Sequence, residues 1–359
     1  QSHNLCQCNS AIEVHIFMTE AEVPHIQATS EDLATTPRSA RPKGVPIQER
    51  ACTVGHIIGI NAYRVNRASL KESLVRQGCQ LQETPHFLVG SRPTGPTVVV
   101  HWFAPEAIDG DLGGYFIEEL KPCGLLPDPE SFGAVFGAVV GSLTPREPQR
   151  AWQLFATNTL ARYHHLISTE QHAPVSASPV EVFATLYKRV CAWSVGPRLL
   201  DAGCSFGFLP LVVGERVPAL ATVLGVDIRV DAFPVVRAIA EERRLATVQF
   251  AQADLLTDDV RNLGHFDTVV ALHVLEHFSE AAMYRVLANL LQATPRCLII
   301  AVPYESGEPE PAYGHEQLFS RAKLEALGRW CLDQPQFSGG RMLYEDCVGG
   351  LLLVEGPNP

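Results

Sequence analysis

Three absences bound this sequence before any motif is read. It lacks a basic excess: 28 Lys and Arg stand against 39 Asp and Glu, a formal net charge of -11. Proteins that grip nucleic acid by its phosphates show the opposite balance, so no nucleic-acid partner is expected. It lacks a long apolar run. The longest, Phe132–Leu143, is 12 residues with three glycines, and a bilayer-spanning helix needs about 20, so no membrane span is expected. It also lacks any C-x-x-C pair among its ten cysteines. Glu13, Glu20 and Glu22 interrupt any secretory apolar region near the start. The expectation is a cytoplasmic protein with reduced thiols.

What is present is ordinary globular composition, 46% hydrophobic and 19% charged, which excludes a chain disordered throughout. At roughly 150 residues per domain the length points to about two domains. Residues 1–50 are rich in Pro, Ser, Thr and His and read as an unstructured arm. Within it His3, Cys6 and Cys8 lie close together, but their spacing matches no strong zinc pattern. Residues 51–150 read as a small α/β accessory unit, with strands near 56–65 and 97–103 and helices near 69–77 and 112–120. Residues 151–195 read as two helices forming a lid or linker, Ala151–Ser168 and Pro179–Trp193.

From 196 to 359 the pattern becomes regular. Strands are expected at 198–202, 221–227, 248–253, 266–272 and 297–302, with helices between them and two final strands near 342–347 and 350–355. Asp231, Ser279 and Ser320 are the expected helix caps. Strand–helix alternation predicts a doubly wound α/β fold: a Rossmann-like sheet of seven strands, mostly parallel, with an antiparallel final strand.

The most informative stretch is Leu199–Pro210. A strand ends in Asp201-Ala-Gly203-Cys204-Ser205-Phe-Gly207 and a helix opens. Gly203 can take the positive φ of the turn, and helix N–H groups then face the crevice where ligands of open α/β sheets bind. A dinucleotide site prefers G-x-G-x-x-G, which is absent here. Asp201 would repel a pyrophosphate but suits the ammonium of an amino acid, so the turn fits S-adenosylmethionine better than NAD. An ordinary strand–turn–helix remains the plain alternative. Asp227 ends the second strand, where an acid accepts hydrogen bonds from ribose hydroxyls. Asp254 ends the third, where it could receive the adenine amino group. Three acids at three successive strand ends favour one concave site.

These residues resemble the class I S-adenosylmethionine-dependent methyltransferases, well over 198–303 and more loosely to the C-terminus. Ser205 stands where the commonest form has a middle glycine. The resemblance implies that Asp201, Gly203, Cys204, Ser205 and Gly207 surround the methionine part of the cofactor. It implies that Asp227 holds ribose, that Ile228 beside it belongs to the cofactor site, that Asp254 and Leu255 hold adenine, and that Leu272 and His273 lie near the methyl group. Asp201–Leu211, His273–His277, Ala301–Glu305 and Ala312–His315 are similar to the mycofactocin oligosaccharide methyltransferases. That likeness implies O-methylation of a sugar hydroxyl in a small-molecule or glycan acceptor; it says nothing of oligomeric state.

His273-Val-Leu-Glu276-His277 also spells H-x-x-E-H, an inverted zinc-peptidase signature. That chemistry needs both histidines one turn apart on a continuous helix, whereas residues 266–272 read as a buried strand. Within the methyltransferase reading, a sugar hydroxyl is a poor nucleophile at neutral pH, and an imidazole with a pKa near 6.5 can take its proton. His277 or His315 is the expected base, with His273 the third candidate. Some quinone O-methyltransferases carry E-x-x-E-H at this place and use a divalent metal. Here His273 replaces the first Glu. No resident metal is therefore expected first, and Glu276, His277 and His315 are the ligands if there is one. Satisfied structural histidines remain an alternative. Tyr304, Glu305 and Tyr313 are candidate sugar contacts. The rival functions are a cofactor-binding protein without turnover, the peptidase, and an NAD-linked oxidoreductase.

Overall fold

The computed structural model describes residues 50–169, 177–293, 295–347 and 349–357. The expected arm at 1–50, and with it His3, Cys6 and Cys8, lies almost wholly outside the described residues. The chain divides into two compact units, with the division between Asn158 and Thr159.

The first unit is a five-stranded sheet with helices. Its strands are β1 (Ala51–Val54), β2 (Ile57–Asn61), β3 (Gln80–Glu83), β4 (Phe87–Ser91) and β5 (Thr97–His101), in the order β1-β2-β5-β4-β3. Only β2 and β5 pair in parallel. Helix α1 (Arg67–Arg76) follows β2 and is capped by Asn66. The short helix α2 (Leu112–Tyr115) runs into a π-helical turn at Phe116–Leu120, so the helix expected at 112–120 is broken in its hydrogen bonding. Helix α3 (Pro129–Gly141), capped by Asp128, was not anticipated from the sequence. Every residue from Phe132 to Gly141 is buried, and a helix apolar on all sides carries no polar face to reveal its period. Gly59 of β2 lets α3 approach closely: a Cβ there would lie 2.1 Å from the Ala138 carbonyl oxygen.

Helix α4 (Pro148–Ser168) spans the division, and α5 (Pro179–Trp193) begins the second unit's ordered core with a capping box between Ser178 and Glu181. The remaining elements alternate: β6 (Arg198–Ala202), α6 (Phe208–Arg216), β7 (Thr222–Asp227), α7 (Phe233–Glu242), β8 (Val248–Gln252), β9 (Thr268–Leu272), α8 (Glu280–Leu290), β10 (Cys297–Val302), α9 (Arg321–Leu332), β11 (Arg341–Asp346) and β12 (Gly350–Glu355). They form one seven-stranded sheet in the order β11-β12-β10-β9-β6-β7-β8. The pairs from β10 through β8 are parallel, and β12 runs antiparallel to both β10 and β11. This is the doubly wound Rossmann-like sheet that the alternation predicts. Strand order reverses between β6 and β9, the switch point where such sheets open a ligand crevice at their carboxyl ends.

One cap differs from expectation. Helix α7 starts after Ala232 with no side-chain cap, because the Asp231 carboxylate instead pairs with Arg229 at 3.1 Å. Ser320 caps α9 as read, while Ser279 precedes α8 without a side-chain bond.

Candidate functional site

The turn after β6 is fixed by backbone. The amides of Gly203 and Cys204 both donate to the Val226 carbonyl, at 2.8 and 2.9 Å. Gly203, Ser205 and Gly207 all take positive φ, at 76°, 49° and 90°. A Cβ on Gly203 would lie 2.6 Å from a methyl of Val274, and one on Gly207 would lie 2.6 Å from the Phe250 ring. Both glycines are therefore required by packing and by backbone. The Cys204 sulfur points into the core, 3.0 Å from where a Cβ on Gly225 would sit, so only its backbone faces the crevice.

The expected acids stand at the strand tips in distinct electrostatic states. Asp201 is 3% exposed. Burial, and then the neighbouring negative charge of Asp227, push its carboxyl up to about 8. Asp227 accepts hydrogen bonds from the amides of Ser205 (2.8 Å) and Arg229 (2.9 Å), which ties the glycine turn to the tip of β7. Burial still raises it, with those hydrogen bonds opposing. Asp254 is closer to solvent. It accepts from the Leu256 amide and the Thr257 hydroxyl, and these bonds hold it below the ordinary range. Leu255 and Leu272 are buried, whereas Ile228 is 58% exposed beside Asp227. An exposed isoleucine next to a buried acid is the surface that a flat apolar ring would cover.

Asp201 thus holds a buried carboxyl with no cation beside it to favour its charged form. A ligand bearing an ammonium group answers that deficit. S-adenosylmethionine carries such a group, together with a ribose for Asp227 and an adenine for Ile228, so the residues fit it.

The second cluster lies past β9. His273 takes left-handed backbone (φ 54°) and its amide donates to the Ala301 carbonyl. A single 3-10 turn, Leu275–His277, follows. The continuous helix that a zinc-peptidase H-x-x-E-H requires is not formed. Glu276 is 0% exposed, and neither of its carboxylate oxygens has a hydrogen-bond partner. His273 Nδ1 lies 3.4 Å away, at ion-pair distance but outside hydrogen-bond geometry. Burial pushes Glu276 up, yet the imidazoles of His273, His277 and His315 together hold it below its ordinary value. His277 is pushed down by burial against the pull of Glu276.

His315 comes from the long loop after β10, and that loop is stitched to the 3-10 turn. The Glu316 and Gln317 amides donate to the Glu276 carbonyl, and the Gln317 side chain donates to the carbonyls of Leu275 and Phe278. The rings of His277 and His315 meet edge to face at 4.8 Å. One ligand atom each from Glu276, His277 and His315 lie within 4.8 Å of one another. Among the described residues this is the one group of three or more such side chains so placed. Metal–ligand bonds of about 2.0–2.2 Å put ligand atoms of a shared ion within roughly 4.4 Å of one another, so these side chains need close by only a few tenths of an ångström to share one. A two-His, one-carboxylate set suits a divalent cation, with open positions left over. The residues fit a metal ion.

Three sequence expectations change. Tyr313 is 2% exposed, so its ring is core rather than sugar platform. Tyr304 shares its hydroxyl with Tyr344 at 2.9 Å. Glu305 faces inward: its carboxylate lies 2.9 Å from His315 Nδ1. Sequence reading named α5 as part of a lid but did not single out the side chains it brings to the site. The Phe183 ring sits 5.3 Å from the His273 ring, and Tyr187, one turn on, is buried near Asp201. The signal was the i, i+4 aromatic spacing on a capped helix.

Residues 199–295 match the family described as a methyltransferase domain. No curated protein matches the sequence. Among solved structures, the methyltransferase domain of a bacterial Hen1 is 16% identical, with a TM-score of 0.38, covering 48% of this chain and 95% of that one. Magnesium protoporphyrin IX methyltransferase from Synechocystis, with bound SAM, is 20% identical, with a TM-score of 0.38, covering 55% of this chain and 90% of that one. The N-terminal domain of EvdMO1, in the presence of SAH and D-fucose, is 16% identical, with a TM-score of 0.38, covering 56% and 96%. The match is to a methyltransferase domain over residues 199–295, and S-adenosylmethionine is the cofactor.

Proposed function

We propose that this protein transfers a methyl group from S-adenosylmethionine to a hydroxyl oxygen of a small molecule or glycan, with the acceptor activated at Glu276, His277 and His315. The observation that carries the reading is the Glu276 carboxylate, wholly buried without a hydrogen-bond partner and set among imidazoles. A buried anion of this kind demands a cation. His277 is held toward its neutral, lone-pair-bearing form, so a metal ion answers the demand better than a proton does.

A divalent cation bound there would act as a Lewis acid and lower the pKa of a coordinated hydroxyl. The chain's own residues do the rest. Glu276, His277 and His315 fix where the acceptor oxygen lies. Asp201, Asp227 and the glycine turn fix the donor, so that oxygen, methyl carbon and sulfur align for in-line displacement. A carbon–oxygen bond forms, the carbon–sulfur bond breaks with its electron pair going to sulfur, and the donor leaves as its demethylated thioether. The hydroxyl proton passes to His273, whose ring stands beside Glu276 at the tip of β9 and whose Nδ1 has no hydrogen-bond partner. This assignment replaces His277 and His315 as first candidates for the base, since a nitrogen that ligates a cation has no lone pair for a proton. Helices α4 and α5 act as the lid, with Phe183 and Tyr187 excluding water over the transfer axis.

An acidic chain supports a neutral or cationic acceptor over nucleic acid. Similarity to the mycofactocin oligosaccharide methyltransferases points to a sugar hydroxyl. The test is incubation of the purified chain with methyl-labelled donor, divalent cations and a panel of glycosides and phenols. Label in a hydroxyl product supports the reading; a panel-wide failure with tight donor binding supports a binding protein without turnover.

A further inference from the structure

We propose that Glu305 is a positioning residue: its carboxylate holds His315 in the tautomer that presents Nε2 to the cation at Glu276. This inference rests on the metal reading above and assigns the residue that builds the site from outside.

Four observations converge. His315 Nδ1 and Glu305 Oε1 are 2.9 Å apart, and both side chains are buried, at 1% and 9% exposure. The second oxygen of Glu305 is engaged by the Glu310 amide at 3.4 Å, which aims the carboxylate along the loop. His315 Nε2, on the opposite side of the ring, is buried without a hydrogen-bond partner. The same loop treats the neighbouring imidazole alike, for His277 Nδ1 faces the Gly314 carbonyl at 3.3 Å.

An imidazole has one proton to place when neutral. An acceptor at Nδ1 keeps the proton there and leaves the Nε2 lone pair for a cation. A carboxylate acceptor also makes the imidazole a stronger donor of electron density than a carbonyl does. Glu305 adds a second buried negative charge to that of Glu276, and two carboxylates balance one divalent cation. The left-handed Gly314 (φ 74°) and the 3-10 turn at Pro311–Tyr313 bring His315 back to Glu305 across ten residues of chain. The loop is thus one built element that carries a ligand, the group orienting it and the carbonyl facing the second ligand.

The competing arrangement is an imidazolium: His315 doubly protonated and shared between Glu305 and Glu276, with no metal. The experiment is direct titration of the full-length protein with Mn2+ and with Zn2+ after chelation, by calorimetry and, for Mn2+, by the loss of the free-ion electron paramagnetic resonance signal. Wild type, Glu305→Gln, Glu305→Ala and His315→Gln are compared, with donor affinity as the check on folding. Loss of an outer hydrogen-bond partner costs about 10- to 100-fold in metal affinity. The expected result is that loss in Glu305→Ala and a smaller one in Glu305→Gln, which keeps an acceptor but not the charge. His315→Gln should fall furthest, and donor affinity should hold in all four. Kinetically, Glu305→Ala should lower kcat at limiting cation and recover as cation is raised, with the donor KM unmoved. Wild-type binding with equal affinity in Glu305→Ala overturns the positioning role and leaves the metal reading standing. No binding by wild type overturns the metal reading and, with it, this one.

Discussion

Two regions of the second unit bury carboxylates, and at Asp201 and Glu276 they do so to opposite effect. Asp201 at the tip of β6 is pushed up to about 8 by burial and by the charge of Asp227. Glu276 beyond β9 is buried more completely, yet is held below its ordinary value by three imidazoles. Burial alone raises any carboxyl; the company decides the final direction. In the reaction proposed above, the donor cleft takes an organic cation and the cluster takes a metal ion, so that one site would face the ammonium of the donor and the other the acceptor oxygen. Each should fail separately.

The sharpest break is Glu276→Gln. It should lower methyl transfer to a hydroxyl acceptor by about 1000-fold, the middle of the range for losing an activating group, while donor affinity changes little. Asp201→Asn should do the reverse. Losing a charge-assisted contact of about 1.5–3 kcal/mol weakens donor affinity by roughly 10- to 100-fold, and cation affinity should stay put. Calorimetry with each ligand on both variants separates the two cases.

Asp201 also sets a pH dependence. Its carboxyl titrates near 3.8 when unfolded and at about 8 when folded. The folded state therefore binds the proton more tightly, and the stability this group contributes is complete below pH 4 and lost as pH rises to 8. Donor-free Asp201→Asn should lack that loss. At pH 8 it should be more stable than wild type by on the order of a few kcal/mol, read by denaturant unfolding, and the difference should vanish near pH 4.

Much of this was legible in the sequence, and the parts that were not have physical reasons. The acids Asp201 and Asp227 stood out because β6 and β7 are buried on both faces and read as apolar runs, so the first acid marks the tip, whereas Asp254 follows the edge strand β8, whose burial alternates. The seven-stranded, mostly parallel sheet with its antiparallel final strand followed from alternation, though its strand order did not. Helix α3 was invisible because it is apolar all round. Glu305 read as a solvent-facing sugar contact because nothing local shows that a loop turns back ten residues later to meet it. The Glu276, His277 and His315 set was named from residue type and from the E-x-x-E-H likeness; that their ligand atoms converge depends on a loop whose hydrogen bonds to residues 275–278 no periodicity encodes.

Two smaller effects sharpen the donor side. Asp227→Ala removes the proposed ribose acceptor and releases the Ser205 amide, so donor affinity should fall about 30-fold, or ~2 kcal/mol. Asp254→Asn should matter least. Its carboxylate is already committed to Leu256 and Thr257, and one neutral hydrogen bond near solvent is worth ~1 kcal/mol, a change of about fivefold. Competition binding with the demethylated donor measures both.

The most direct test of the account follows labelled methyl from S-adenosylmethionine to a hydroxyl acceptor in wild type and Glu276→Gln, before and after chelation of divalent cations. The account predicts incorporation by wild type that stops on chelation, returns when cation is restored, and stays absent in the variant although donor still binds. Undiminished incorporation after chelation, together with full transfer by Glu276→Gln, would contradict it.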